Sequence, residues 1–185
     1  MSENKGKLIV ISGPSGTGKG TVINELLKLR PDLNFSVSAT TRKPRPNESN
    51  GVEYHFLSHE CFQEMIKNDE FLEYAQYVGE FYGTPVKYIN ESINSGTHTI
   101  LDIEVQGAKQ VMSKDINAVT IFITAPSMEE LEKRLRGRGT DSDEKILKRL
   151  KRSRQELKEK NKYDHIIVND SASRAAEEIL NIIEK

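Results

Sequence analysis

The stretch that most constrains this chain runs from Leu8 to Thr21 and reads LIVISGPSGTGKGT. Its four leading residues are apolar, which is typical of a buried strand, and Gly13 is followed after four residues by Gly18-Lys19. Glycines at this spacing allow a tight loop whose backbone N–H groups cradle phosphates, and the lysine reaches the β- and γ-phosphates of a nucleotide. The sequence therefore predicts a phosphate-binding loop; the alternative is a glycine-rich turn without a ligand.

A helix is predicted directly after this loop. Four apolar residues share one helical face before Pro31 ends the pattern, namely Val22, Ile23, Leu26 and Leu27. The N-terminus of such a helix favours an anion. One position departs from the usual motif, because Gly20 stands where a serine or threonine offers its hydroxyl to magnesium, and Thr21 follows it.

Composition predicts a soluble globular protein of one domain with insertions. The chain has 185 residues, of which 36% are hydrophobic and 30% charged, and its formal net charge is −1. This balance gives no sign of a nucleic-acid or membrane partner. Cys61 is the only cysteine, which excludes an internal disulfide. We expect it on the apolar face of a helix in a cytoplasmic protein.

A short stretch at residues 34–38 and apolar runs at 99–104, 119–123 and 165–168 predict the other core strands. They alternate with helical patterns, which predicts an α/β fold with a doubly wound parallel sheet. Asp102 lies toward the end of the run at 99–104. Because functional groups collect at the carboxyl ends of parallel strands, we expect Asp102 near bound phosphates or their metal; a structural carboxylate is the alternative.

Residues 39–51 are expected to form an irregular loop, since they contain two prolines, Asn50-Gly51 and several short polar side chains. The loop carries Arg42 and Arg45. Arginine presents a planar fork that matches phosphate oxygens. We interpret these arginines as a phosphate-binding pair, with a solvated loop of exposed charges as the alternative.

Further helices are predicted along the chain, and the final one has on its apolar face Ala175, Ala176, Ile179, Leu180 and Ile183. The sequence Thr84-Pro85 predicts a helix with Thr84 as N-cap and Pro85 as first residue. Residues 143–162 predict one helix with Ile146, Leu147, Leu150 and Leu157 at helical spacing. It carries nine lysines or arginines against two glutamates between Lys145 and Lys162. Such a charge run is usually a solvated helix face, although one or two arginines are candidates for a polyanion site.

Three motifs, taken together and in this order, resemble the guanylate kinase family. They are Gly13-Pro14-Ser15-Gly16-Thr17-Gly18-Lys19, Ser38-Ala39-Thr40-Thr41-Arg42 with Arg45 and Glu48, and Gly137-Arg138-Gly139-Thr140. The resemblance extends from Lys7 to the final helix. The first motif is shared by many unrelated nucleotide-binding proteins, whereas the combination is specific.

The resemblance implies a P-loop kinase core with a five-stranded parallel sheet of order 2-3-1-4-5. Residues 1–41 and 85–185 would form this core, with a helical lid at about 136–150. Residues 42–84 would form a small mixed α/β insertion that binds GMP.

The resemblance also implies roles for individual residues. The ATP-binding set is Gly13, Pro14, Ser15, Gly16, Thr17, Gly18, Lys19, Gly20, Thr21, Arg134 and Asn169. The GMP-binding set is Ser38, Arg42, Arg45, Glu48, Tyr54, Glu73, Tyr82, Thr84 and Asp102. The catalytic set is Lys19, Arg42, Arg138, Arg149 and Asp102.

The implied reaction transfers the γ-phosphoryl group of ATP to GMP, and with it dGMP. Mg²⁺ would accompany ATP, with Thr21 and Asp102 as candidate ligands, directly or through water. A carboxylate at Glu73 would accept the guanine N1–H and N2–H₂ donors, which adenine lacks. The sequence leaves monomer and homo-oligomer open.

Three other interpretations stay open. One is a non-enzymatic module of the same family that binds phosphopeptides, and another is a nucleoside monophosphate kinase for a different base. The third is an RNA-binding protein, for which the basic helix carries no interleaved aromatic platform.

Overall fold

The computed structural model describes residues 5–77, 79–114, 116–137, 139 and 141–185. Its strands are β1 (Leu8–Ser12), β2 (Asn34–Phe35), β3 (Ala39–Thr40), β4 (His55–Phe56), β5 (Phe71–Tyr77), β6 (Glu80–Pro85), β7 (Thr99–Asp102), β8 (Ala118–Thr124) and β9 (His165–Val168). Its helices are α1 (Lys19–Leu29), α2 (His59–Lys67), α3 (Val86–Asn94), α4 (Val105–Ser113), α5 (Met128–Gly137), α6 (Asp143–Glu156) and α7 (Ala172–Ile183).

The larger sheet confirms the predicted α/β fold. Its five strands lie in the order β2-β7-β1-β8-β9, which is 2-3-1-4-5 when only these strands are counted along the chain. Strand β2 pairs in parallel with β7, and β8 pairs in parallel with β9. Strand β1 is buried along its whole length, as its continuous apolar run predicts.

The second sheet has the order β4-β3-β6-β5. It corrects the prediction that residues 39–51 lack regular structure, because Ala39 and Thr40 form β3, parallel to β4 and antiparallel to β6. The pairing of these two residues with distant strands outweighs the local turn signals that follow them.

The chain divides into two compact units. The first comprises Met1–Leu8, Asn34–Leu101 and Gln106–Asn117, and the second Ile9–Leu33, Asp102–Val105 and Ala118–Lys185. The predicted insertion at residues 42–84 lies within the first unit, and its boundaries stay a prediction. In the second unit, α1 packs against α7, with Val22, Ile23 and Leu26 buried.

Two predicted helix boundaries were wrong. Thr84 is not an N-cap but lies within β6, since its strand pairs with β5 through Pro85, and Pro85 is itself the N-cap of α3. Helix α6 ends at Glu156, and residues 157–162 continue as a 3₁₀ helix. Leu147, expected on the apolar side, is 60% exposed, because its position one residue after Ile146 turns it away from the core.

Two further differences concern α2 and α4. Cys61 is exposed, because the buried face of α2 is formed around Phe62. Helix α4 was not predicted at all. In the described part of the chain, no helix is long and apolar enough to cross a membrane.

Candidate active site

The predicted phosphate-binding loop connects β1 to α1 and depends on glycine. Gly16 and Gly18 have φ values of 92° and 83°, a conformation that other residues rarely adopt. A Cβ atom on Gly18 would also lie 2.5 Å from Nδ2 of Asn169. The two glycines therefore fix the tight path that the sequence predicts for this loop.

The N-terminus of α1 is left open for an anion. Its N-cap, Gly18, supplies no side-chain hydrogen bond, and the first turn contains no acidic residue. The first backbone N–H groups of a helix have no partner within the helix. An uncapped N-terminus next to a glycine loop is thus suited to bind phosphate oxygens.

Lys19 is held in place by two neighbouring residues. Its Nζ atom donates to the Ile103 carbonyl at 2.9 Å and pairs with Asp102 Oδ1 at 2.6 Å. The Lys19 side chain is 16% exposed and that of Asp102 28% exposed. Asp102 therefore lies beside Lys19, the lysine of the predicted phosphate-binding loop, and its role toward phosphates or a metal stays a prediction.

The backbone of the loop is braced at Thr17. The side-chain amide of Asn169 donates to the Thr17 carbonyl at 2.7 Å, and Arg134 Nη1 donates to the same oxygen at 3.2 Å. Arg134 Nη2 also donates to the Asn169 carbonyl at 3.0 Å. Asn169 and Arg134, two residues of the predicted ATP set, thus meet at one point of the loop.

Arg149 reaches the phosphate-binding loop from α6. Its guanidinium donates to the Ser15 hydroxyl and to the Asp141 carboxylate. Lys145 also pairs with Asp141, at 2.6 Å, and these cations hold the pKa of Asp141 below its ordinary value. Asp141 was missed from the sequence, where its spacing of four and eight residues from the two cations is the only signal. Arg138 lies outside the described residues.

The first unit contains a paired arginine. Arg42 forms a two-point ion pair with Glu48, at 2.9 Å and 3.0 Å. Glu48 Oε2 also accepts the Arg45 backbone N–H at 2.7 Å. The Arg42 guanidinium and this N–H hold the pKa of Glu48 below its ordinary value. Glu48 therefore orients Arg42, while the Arg45 side chain is exposed.

Aromatic rings surround the same arginine. The Arg42 guanidinium lies 5.5 Å from the Tyr54 ring centroid and 5.8 Å from that of Phe56. Tyr54 and Tyr82 meet edge to face at 6.0 Å. The structure thus brings together Arg42, Glu48, Tyr54 and Tyr82 from the predicted GMP set, at distances that allow cation–π attraction.

Glu73 carries a buried carboxyl group whose hydrogen-bond partner is a hydroxyl group, whereas Glu48 pairs with an arginine. It is 7% exposed, and its Oε1 atom accepts a 2.7 Å hydrogen bond from the Thr84 hydroxyl, which is fully buried. Burial raises the pKa of Glu73, against the opposing effect of Thr84. Ser38, the third predicted base-reading residue, is half-buried and its carbonyl accepts the His55 backbone N–H at 2.9 Å.

The donor set suits a magnesium ion that arrives with a nucleotide. Magnesium is usually bound by one or two carboxylates together with substrate phosphates and water. Among the described residues, no three acidic, histidine or cysteine side chains converge on a metal position. Asp102 supplies one partly exposed carboxylate next to Lys19, and Thr21 is exposed on the first turn of α1.

Comparisons with known proteins agree with one another. The family model described as guanylate kinase matches residues 5–185. Guanylate kinases of Streptococcus thermophilus and Streptococcus agalactiae are each 52% identical to this chain, with 100% of this chain and 88% of each relative covered. The crystal structure of a guanylate kinase from Anaplasma phagocytophilum has a TM-score of 0.75 and 35% identity, covering 98% of this chain and 86% of that one.

Proposed function

This chain belongs to the guanylate kinase family, a family of nucleoside monophosphate kinases, and from that premise we propose that it transfers the γ-phosphoryl group of ATP to GMP. The products are ADP and GDP, and dGMP serves as a second acceptor. The observation that carries the proposal is the combination of a lysine-bearing phosphate loop with the buried carboxyl group of Glu73.

The donor nucleotide binds to the second unit. Backbone N–H groups of residues 13–18 and the open N-terminus of α1 receive its phosphates, which is supported by the absence of a side-chain cap at Gly18. Lys19 contacts the β- and γ-phosphates. Arg134 and Asn169 lie against the loop at Thr17 and, in the proposal, also contact the adenosine.

The acceptor nucleotide binds to the first unit. Arg42, Arg45, Tyr54 and Tyr82 receive the GMP phosphate, a role supported by the exposed Arg45 and by the aromatic surround of Arg42. Glu48 keeps the Arg42 guanidinium oriented. Ser38, Glu73 and Thr84 read the base, and Asp102 contributes to the same nucleotide.

Guanine recognition follows from what a carboxylate accepts. The Thr84 hydroxyl occupies Glu73 Oε1 at 2.7 Å, and the remaining lone pairs of the carboxylate accept N1–H and N2–H₂ of guanine. Adenine presents an acceptor at N1 and would leave a buried carboxylate unpaired. An unpaired buried group costs more than a missing contact gains, which gives strong discrimination.

The chemical step needs little proton transfer. A phosphate oxygen of GMP, already ionised at neutral pH, forms a bond to the γ-phosphorus, and the bond from that phosphorus to the β–γ bridging oxygen breaks as ADP leaves. The protein contributes positioning and positive charge through Lys19, Arg42, Arg138 and Arg149. Arg149 already contacts the loop at Ser15.

Magnesium fits this site as a companion of ATP. When bound it neutralises the phosphate charge that develops between donor and acceptor. Asp102 and Thr21 are the residues that would hold it, directly or through water. Gly20 supplies no side chain, so we assign most of the coordination to phosphates and water. Because ATP and GMP are intracellular metabolites, we also propose a cytoplasmic enzyme.

One assay tests the proposal directly. Release of ADP from ATP is measured with GMP, dGMP, AMP, CMP and UMP as acceptors at equal concentrations. We expect GMP to give the highest kcat/KM, with dGMP next. A preference for AMP contradicts the role of Glu73, and an absence of ADP release with every acceptor contradicts the enzymatic proposal.

A further inference from the structure

Gly107 lies inside helix α4, where glycine is disfavoured relative to alanine. The helix brings this residue against Glu73. A Cβ atom on Gly107 would lie 2.5 Å from Glu73 Oε2, 3.1 Å from its Cδ and 3.4 Å from its Cγ. Real Cβ atoms do not approach a carboxylate oxygen this closely, so any side chain at position 107 must displace either the carboxylate or the helix.

The helix cannot retreat without losing other bonds. Gln110 makes two hydrogen bonds to Tyr74 of β5, accepting its N–H at 3.2 Å and donating to its carbonyl at 2.8 Å. Lys114 donates to the Phe71 carbonyl at 2.8 Å. Gly107 and Gln110 lie on one face of α4, and Lys114 directly follows its last residue. The helix and the residue after it are therefore attached to β5 on both sides of Glu73.

The carboxylate cannot retreat without cost either. Glu73 and Thr84 are direct partners in the pairing of β5 with β6, and their side-chain hydrogen bond is 2.7 Å long. A Glu73 side chain pushed away from α4 would lengthen that bond. The carboxyl group is thus fixed between the Thr84 hydroxyl on one oxygen and the bare backbone of Gly107 beside the other.

We propose that Gly107 is a positioning residue that determines base specificity, because only glycine there lets Glu73 take the position from which it reads guanine. The inference rests on the proposed function, in which Glu73 accepts the guanine donors. Gly107 itself does not touch the substrate. If the glycine were needed only for helix packing, replacing it would lower stability and change the KM values for GMP and ATP to the same extent.

The test is a double-mutant cycle of Gly107→Ala, Glu73→Asp and the double variant. Aspartate is shorter by one methylene and withdraws the carboxylate from position 107. We expect Gly107→Ala to raise the KM for GMP about tenfold and to leave the KM for ATP within about twofold. In the Glu73→Asp background, the same alanine should raise the KM for GMP less than about twofold, so the two changes should not be additive.

Gln106→Ala is the matched control, since it adds no clash, gives the same residue type on the same helix and replaces an exposed side chain. Its KM values should equal those of the parent. Equal effects of Gly107→Ala in both backgrounds, or a parallel rise in the KM for ATP, overturn the inference. If Gly107→Ala does not fold, the double variant should; its failure to fold also overturns the inference. Failure of the proposed function is seen separately, as a parent enzyme that does not phosphorylate GMP.

Discussion

The phosphate loop and the Glu73 site differ in the partners of their charged side chains. Lys19 has a counter-ion of its own, Asp102, at 2.6 Å, and the loop around it offers backbone N–H groups. Glu73 is 7% exposed and, among the described residues, forms no ion pair; Thr84 is its hydrogen-bond partner. The first site is suited to attract an anion, whereas the second is suited to accept uncharged N–H donors.

In the proposed function, this difference separates affinity for phosphates from selectivity for the base. Phosphates are common to all nucleotides, so a cationic backbone cradle binds them without reading the base. A buried carboxylate with no cation must be satisfied by the ligand itself, and only a base with two adjacent donors does this well. Changes at the loop should therefore affect every substrate, and changes at Glu73 should affect the choice between acceptors.

The largest effect is expected for Lys19→Ala. Loss of this charge removes stabilisation of the transferring phosphoryl group, and we expect kcat/KM to fall about 1,000-fold or more with every acceptor. Steady-state ADP release is the measurement. Lys28→Ala is the control, because Lys28 lies in the last turn of the same helix with a side chain that is 70% exposed. Near-normal phosphoryl transfer by Lys19→Ala would contradict the assignment of the donor site.

The next effect is expected for Glu73→Gln. Glutamine keeps one acceptor but turns an NH₂ group toward the guanine donors or toward Thr84, so kcat/KM for GMP should fall about 100-fold. The KM for ATP should stay within about twofold. If the KM values for ATP and GMP rise together, Glu73 supports the fold rather than the base, and the contrast between the two sites is lost.

Sequence reasoning predicted the phosphate loop better than the Glu73 site, for a physical reason. All parts of the loop lie within residues 8–21, so strand, glycines, lysine and helix are visible in one window. Glu73 and Thr84 are joined by the register of two strands, and Thr84 was assigned to a helix start. No local pattern distinguishes Glu73 from a surface glutamate, so its role came from the family resemblance.

The sequence also missed contacts that join distant segments. Helix α4 was not predicted, so the approach of Gly107 to Glu73, 34 positions earlier in the chain, was not predicted either. The ion pair of Arg149 with Asp141 joins a helical residue to the residue before the N-cap of α6, eight positions earlier. By contrast, Arg42 and Glu48 are six residues apart in one loop, and both were assigned to the same nucleotide. Predictability thus decreased as the partners came from more distant segments.

The pH dependence of GMP use should contain a contribution from Glu73 in addition to the second ionisation of the GMP phosphate, whose pKa is about 6. Burial raises the pKa of this carboxyl group above its ordinary value of 4.5. The protonated form cannot accept both guanine donors, so kcat/KM for GMP should rise up to about tenfold per pH unit until the raised pKa is passed. In Glu73→Gln this contribution should disappear, and the limb that remains should be that of the GMP phosphate. An unchanged profile in that variant assigns the titration to another group.

The raised pKa of Glu73 also determines how the free energy of unfolding changes with pH. Between 4.5 and the raised pKa, the folded protein binds more protons at Glu73 than the unfolded chain does. The free energy of unfolding therefore falls as the pH rises through this window. The difference between the parent and Glu73→Gln, measured by urea unfolding at several pH values, should fall in the same direction.

The smallest effect is expected for Asn169→Ala. This variant tests whether the Asn169 side chain braces the phosphate loop or contacts the nucleotide. The Asn169 amide donates to the Thr17 carbonyl at 2.7 Å, but Arg134 donates to the same oxygen at 3.2 Å. Because the carbonyl keeps one partner, we expect the KM for ATP to rise only about three- to fivefold, with kcat retained. Asn181→Ala, the same change at an exposed position of α7, is the control.

The choice of donor nucleotide separates the two roles of Asn169. If the amide acts by bracing the loop, the variant should lose the same factor with ATP and with GTP as phosphoryl donor. If it acts by contacting adenine, the loss should be confined to ATP. In the proposed function the amide also contacts adenine, and its NH₂ group has a second N–H besides the one that donates to Thr17. We therefore expect a larger loss with ATP than with GTP. Equal losses would contradict the adenine contact and would leave bracing of the loop as the role of Asn169.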